Sequence, residues 1–217
     1  QGKALSHFFR MENPADTDTY YTIATPAEAL YKEKGSKFLC YAYPVRDEDR
    51  IREYVEALRK RYYDATHHCY AWRLGPEGAS FRANDDGEPS STAGRPILGQ
   101  LLSRGITDTL VVVVRYFGGT KLGVPGLIAA YRESAAAVLD EAERIEKTVN
   151  ARFVVEFGYL AMNDVMRVVK EMQPVVADQC FDNACRMTLS IRRSREEALR
   201  DRLSKVEGLH MEFEGYE

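Results

Sequence analysis

The pattern of hydrophobic and polar positions over about the first 140 residues predicts strands that alternate with helices. Apolar, β-branched runs predict strands at 19–24, 36–45, 66–74 and 110–114. Apolar residues at helical spacing predict helices from 47 to about 62, from 90–92 to 105, and from 125 to 139. The first two strands are expected to form a hairpin, and 75–87 an exposed loop. The run 110–114 is apolar throughout, so it should be a central strand.

The rest of the chain has a different order of predicted strands and helices. Strands are predicted at 152–157, 175–181, 184–191 and 210–213, and helices at 159–172 and 195–207. This β-α-β-β-α-β order is typical of a ferredoxin-like domain. Asp182 and Asn183 suit a two-residue hairpin turn, and Ser194 with Glu197 suits a helix capping box. Because the charged stretch 140–147 separates the two patterns, we predict an α+β chain with domains 1–143 and 144–217.

Composition narrows the class of protein. The chain has 217 residues, 45% of them hydrophobic, which is enough to fill two cores. A net charge of −3 argues against coating nucleic acid by bulk electrostatics but leaves a local basic face open. There is no apolar run of about 20 residues and no signal-peptide pattern, so we expect a cytoplasmic protein without membrane contact.

Four cysteines match neither a disulfide scaffold nor a paired zinc motif, which fits a reducing compartment. The predicted hairpin would place Cys180 opposite Cys185. These two thiols are interpreted either as a redox pair or as two separate small side chains.

An acidic loop at 84–89 is the first candidate for chemistry. It holds Asp85, Asp86 and Glu88 beside a glycine and a proline. Crowded carboxylates can bind a hard cation or raise one pKa for acid/base work. They can equally cap backbone N–H groups in a turn.

A glycine-rich segment at 118–126 is the second candidate. Gly118, Gly119 and Gly123 lie between a predicted strand and helix, after Arg115 and around Lys121. Backbone N–H groups in such a turn can bind an anion. The spacing matches neither the phosphate-binding P-loop nor the dinucleotide fingerprint, and the glycines can instead serve a tight crossover.

Three adjacent residues on a predicted strand, His67, His68 and Cys69, form the third candidate. Strand alternation points the two histidines to opposite faces. A zinc site would need further ligands, and the remaining histidines are His7 and His210. Cys69 with a histidine could instead form a nucleophile and its base, but the sequence assigns no orienting third group, so buried structural roles are favoured.

A basic stretch lies in the second half of the chain. Residues 186–205 hold seven Lys or Arg against three Asp or Glu. The candidate nucleic-acid-binding residues are Arg186, Arg192, Arg193, Arg195 and Arg200. A solvated helix face is the alternative interpretation.

Two segments resemble the signature of the IMPACT/YigZ family. They are DDGEPSSTAGRPIL at 85–98 and VVVVRYFGGTKLG at 111–123. The resemblance implies an N-terminal β-α-β domain like those of a small-subunit ribosomal protein and elongation factor G, followed by a ferredoxin-like domain. Val124-Pro125 stands where the family usually has Thr-Gly, and Ala129 where it usually has Arg; both changes remove possible anion contacts. Ser91 stands where the family usually has Gly.

The resemblance implies a translation-associated regulator, and three functions follow. The first is binding to RNA or ribosomes. The second is regulation through another protein of the translation machinery. The third is a hydrolase whose polar cleft would hold Asp85, Asp86, Glu88, Arg115 and Lys121. We expect no cofactor, no resident metal, and a monomer or weak oligomer.

Overall fold

The valine-rich run around residue 112 forms the middle strand of a sheet, as the sequence predicted. The computed structural model describes residues 18–181 and 184–217. They group into two compact units, one formed by Thr19–Thr148 and the other by Val149–Glu217 with Asp18. The two predicted kinds of domain, α+β and ferredoxin-like, are both present.

The strands of the first unit are β1 (Thr19–Ile23), β2 (Ala27–Glu33), β3 (Ser36–Pro44), β4 (His67–Leu74), β5 (Ser80–Asn84), β6 (Thr109–Tyr116) and β7 (Arg144–Thr148). The larger sheet has the order β2-β3-β6-β4-β5, and each neighbouring pair is antiparallel. β1 pairs with β7 in a separate two-stranded sheet. The units therefore part after Thr148, five residues beyond the predicted boundary at 143.

Two strand predictions were wrong. The first predicted strand does not pair with β3, because β2 takes that place and forms the hairpin. The predicted exposed loop 75–87 contains β5. Both missed strands lie at the edges of the sheet. Their side chains are largely exposed, so they lack the apolar run by which a buried strand is recognised.

Three helices cover the two faces of the larger sheet. They are α1 (Glu48–Arg61), α2 (Gly94–Ser103) and α3 (Gly123–Glu141). On one face, α1 packs with apolar residues that alternate along β6, including Leu110, Val112 and Val114. On the other face, Val111 and Val113 join the core built by α2 and α3. Burial on both faces explains why β6 is apolar throughout.

The second unit consists of β8 (Asn150–Phe157), α4 (Met162–Met172), β9 (Val175–Phe181), β10 (Cys185–Arg192), α5 (Glu196–Leu203) and β11 (His210–Tyr216). Its antiparallel sheet has the order β11-β8-β10-β9. This is the predicted ferredoxin-like arrangement. Its core lies between one sheet face and the two helices.

Two local predictions in this unit were wrong. Ser194 does not cap α5, because its backbone N–H and its hydroxyl both donate to the carboxylate of Asp18. Cys180 lies opposite Arg186, whereas Cys185 lies opposite Phe181. The two thiols therefore point to opposite faces, one exposed and one buried, and cannot form a redox pair across the strands. The predicted turn at 182–183 lies outside the described residues.

All four cysteines lie in the described part of the chain, and none of them forms a disulfide there. No helix among the described residues is long and apolar enough to cross a bilayer.

Candidate functional site

Asp85 caps the start of α2. Its Oδ1 accepts hydrogen bonds from the backbone N–H groups of Ala93 at 3.1 Å and Gly94 at 2.8 Å. Its Oδ2 accepts from the N–H of Ser91 at 2.8 Å. These donors would otherwise be unpaired at the helix N-terminus, where a negative charge is also stabilised. The carboxylate is thus already bonded by the backbone.

Asp86 ties the acidic loop to α1 and β4. Its Oδ1 accepts from the Arg59 guanidinium at 2.7 Å, and its Oδ2 accepts from the backbone N–H of His68 at 2.7 Å. The backbone carbonyl of Asp86 lies 2.8 Å from Nδ1 of His67. A φ of 43° places Asp86 in the left-handed region, which an aspartate tolerates better than most residues.

Glu88 turns inward and joins the acidic loop to the end of β6. Its side chain is only 4% exposed. Its Oε1 accepts from Nη1 of Arg115 at 2.5 Å and from the hydroxyl of Tyr131 at 2.7 Å. Its Oε2 lies 3.8 Å from Nε2 of His67. With Cys69, these four residues form what we call the buried polar cluster.

Cys69 completes this cluster as a neutral thiol. Its single S–H has two acceptors within reach, the carbonyl of Asp85 at 3.0 Å and the Tyr131 hydroxyl at 3.3 Å. Burial raises the pKa of the Cys69 thiol far above its usual range, and burial likewise raises the pKa of Tyr131. A nucleophilic cysteine needs a lowered pKa, so Cys69 has the wrong electrostatics for that role.

The glycine-rich segment begins with a close crossing of two backbones. A Cβ built on Gly118 would lie 1.9 Å from the carbonyl carbon of Gly35. The N–H of Gly118 donates to the hydroxyl of Ser36 at 3.2 Å. Gly119 and Gly123 have φ values of 86° and 70°. This segment therefore uses its glycines for a tight crossover and for left-handed backbone.

Lys121, the remaining candidate residue of the polar cleft, is not part of the buried polar cluster. Lys121 is exposed, and it forms no ion pair with any residue that the structure describes. Arg115, by contrast, is buried between the rings of Phe38 and Phe117. Within the described residues, no group of three or more His, Cys, Asp or Glu is arranged to hold a metal ion.

The five candidate arginines of the second unit fall into three settings. Arg186 lies 3.7 Å from Glu156 across neighbouring strands. Arg192 and Arg195 are exposed. The other two, Arg193 and Arg200, lie over aromatic rings of β11. Arg200 also pairs with Glu196 at 2.9 Å and lies 4.6 Å from the ring centroid of Phe153 in β8.

Those two arginines and two rings form what we call the arginine–aromatic edge. The guanidinium of Arg193 lies 4.4 Å from the ring centroid of Tyr216, and that of Arg200 lies 5.0 Å from the ring centroid of Phe213. The two rings contact each other at 5.1 Å. Because β11 is an edge strand, both rings are partly exposed, Phe213 by 38% and Tyr216 by 39%.

Comparison with known proteins places this architecture in a family. Residues 34–139 match the model of the Impact N-terminal domain. The IMPACT family member YvyE of Bacillus subtilis is 35% identical over 155 residues, which cover 71% of each chain. The chain belongs to the IMPACT family. The family member YigZ of Escherichia coli is 34% identical over 138 residues, covering 63% of this chain and 68% of that relative.

A solved structure extends the likeness of this IMPACT-family chain to both units. The crystal structure of a hypothetical protein superimposes with a TM-score of 0.69 at 25% identity, over 90% of this chain and 97% of the other. The buried polar cluster lies entirely within the region that matches the family model.

Sequence reasoning missed three residues of these sites. Tyr131 lies in the predicted helix 125–139, where its spacing indicates a core position; a buried tyrosine hydroxyl also needs a hydrogen-bond partner, and that need is the available signal. Phe213 is the last residue of the predicted strand 210–213. Tyr216 lay beyond the predicted strand, since Gly215 interrupts the apolar pattern.

Replacing Asp85 with alanine is expected to lower the free energy of unfolding by about 2 kcal/mol, because three backbone donors lose their acceptor. Asp85→Asn, which keeps one acceptor oxygen, should cost roughly half as much. Urea denaturation of the two variants measures this difference. A loss below about 0.5 kcal/mol in Asp85→Ala would show that the cap contributes little.

Proposed function

We propose that this IMPACT-family chain is a translation-associated regulator that binds RNA or ribosomes, and that the arginine–aromatic edge is its contact surface. The observation that carries the proposal is the pair of partly exposed rings, Phe213 and Tyr216, held beside two guanidinium groups. Family membership supports the translation role, and the edge supports the nucleic-acid ligand.

The chemistry of the edge suits unpaired nucleotides. Nucleobases stack on aromatic rings and on the planes of guanidinium groups, and such stacking contributes about 1–3 kcal/mol per base. Arg192 and Arg195 are exposed in the same short segment as Arg193 and are free to contact phosphates. Rings and cations therefore occur together, as they do in surfaces that bind single-stranded RNA.

The alternative of a hydrolase has less support. Its central carboxylate, Glu88, is buried and bonded to Arg115 and Tyr131. Asp85 and Asp86 are bonded to other partners, and the Cys69 thiol is neutral. A general base or nucleophile needs a free lone pair towards its substrate, whereas these carboxylates are already bonded within the chain.

The test is binding of a fluorescent single-stranded RNA of about 12 nucleotides, followed by anisotropy, and co-sedimentation with ribosomes at two salt concentrations. The triple variant Arg192/Arg193/Arg195→Ala is expected to bind at least about tenfold more weakly and to show a shallower salt dependence. Tyr216→Ala should weaken binding by a similar factor without changing the salt dependence, because it removes stacking and no charge.

A matched control removes the same charge elsewhere. Arg52/Lys60/Arg61→Ala takes three cations from α1 in the first unit and should leave RNA affinity within about twofold, apart from general electrostatics. Equal weakening by the two triple variants would contradict a specific edge. Ribosome binding that survives both the edge variants and nuclease treatment would instead favour a protein partner.

A further inference from the structure

One edge strand of the larger sheet carries exposed side chains that are complementary to the same strand of a second copy of the chain. β2 is an edge strand that pairs with β3 on one side, in unbroken register from Ala27 to Glu33. Its exposed positions are Glu28, Leu30 and Lys32, and Leu30 is 51% exposed. An apolar residue thus lies midway between an acid and a base on a strand whose outer edge is unpaired.

The turn that follows β2 decides which backbone groups face outward. Lys34 and Gly35 have φ values of 45° and 81°, as in a two-residue type I′ turn. Such a turn makes Glu33 and Ser36 a hydrogen-bonded pair, and pairs of this kind alternate along the ladder. The backbone N–H and C=O groups of Glu28, Leu30 and Lys32 therefore point away from β3, towards the free edge.

We propose that β2 pairs antiparallel with β2 of a second copy of this chain, about a two-fold axis at Leu30. In this register Leu30 faces Leu30 of the second copy. Glu28 of each copy faces Lys32 of the other. These same three residues carry the outward backbone groups, so each facing pair exchanges two hydrogen bonds. Backbone geometry and side-chain charge select the same register.

The side chains on the opposite surface of β2 also permit this pairing. Ala27 and Ala29 are small, and Tyr31 packs inward against Phe38. In the proposed register Tyr31 would lie beside Ala29 of the second copy, which leaves room for the ring.

The other edges of the two larger sheets lack this complementarity. Among the described strands of the two larger sheets, the remaining edges are β5, β9 and β11. β5 carries one charged side chain, Arg82, and β9 carries one, Asp178. β11 carries two carboxylates, Glu212 and Glu214. Like charges repel across a two-fold pairing, which is how edge strands commonly avoid self-association.

The first experiment measures the mass of the full chain by sedimentation equilibrium. The natural sequence is expected to approach twice its 24.6 kDa. Two single charge reversals, E28K and K32E, each turn both cross-strand ion pairs into like-charge pairs. Each should raise the dimer dissociation constant at least about tenfold.

The second experiment restores the pairing of opposite charges across the two strands in two ways. The double variant E28K/K32E exchanges the acid and the base, and should dimerise as the natural sequence does. Mixing the two single variants should yield heterodimers, because at positions 28 and 32 one then carries two cations and the other two carboxylates. A single variant that simply misfolded would be rescued by neither, and circular dichroism checks its fold.

Three results would overturn the proposal. The first is a monomer at every concentration up to about 1 mM, a range that covers weak dimers. The second is a dimer that neither single reversal weakens. The third is a mixture of the two single variants that does not associate. The inference concerns the first unit alone and does not depend on RNA binding by the second.

Discussion

Replacing Glu88 with glutamine is expected to lower the free energy of unfolding by about 3–5 kcal/mol, the usual cost of breaking a buried ion pair. The change keeps the size of the side chain and removes its charge. Arg115 would remain buried without its counter-ion, and its Nε already has no hydrogen-bond partner among the described residues. The loss therefore comes from an uncompensated cation rather than from a cavity.

Urea denaturation followed by circular dichroism measures the effect. Lys121→Ala is the control, since this exposed lysine should change stability by no more than about 0.5 kcal/mol. The double variant Glu88→Leu/Arg115→Met should be less destabilised than Glu88→Gln, because it leaves no buried charge. A Glu88→Gln protein as stable as the control would show that the pair is dispensable.

Replacing Gly118 with alanine is expected to lower the free energy of unfolding by about 3 kcal/mol or more, through overpacking. The added Cβ would lie 1.9 Å from the carbonyl carbon of Gly35 and 2.2 Å from the nitrogen of Ser36. Both neighbours are backbone atoms, so neither can rotate away. The β2–β3 turn or the segment after β6 would have to move.

Gly119→Ala is the matched control for this prediction. Its φ of 86° imposes strain on any side chain, but no described heavy atom lies within 4 Å of a Cβ built there. It should cost about 1 kcal/mol. The difference between the two variants, measured by thermal or urea unfolding, separates steric contact from backbone strain. Similar losses at both positions would contradict a close backbone crossing at Gly118.

The sequence predicted those parts of the fold that are coded by local periodicity. β6 was recognised as central because burial on both faces leaves no polar position in 110–114. The ferredoxin-like order was recognised because each strand and helix of the second unit has its own apolar pattern. β2 and β5 were missed because an edge strand with exposed side chains lacks such a pattern.

The sequence indicated most residues of the candidate site, but not which of them bond to one another. The acidic loop and Arg115 were both singled out, yet nothing local indicates that Glu88 turns inward while Asp85 and Asp86 bond to backbone and surface groups. Tyr131 lies 43 residues from Glu88, and its hydroxyl bond depends on how α3 packs. Such pairings arise from tertiary structure, which periodicity does not encode.

The single carboxylate of Glu88 makes three distant segments interdependent in evolution. Hydrogen bonds from Arg115 and Tyr131 converge on one oxygen, while His67 lies against the other. In a chimera that receives only the acidic loop of a relative, the relative's carboxylate would have to bond an arginine and a tyrosine from a different protein. Exchange between family members should therefore succeed when the loop, the end of β6 and the middle of α3 are inherited together.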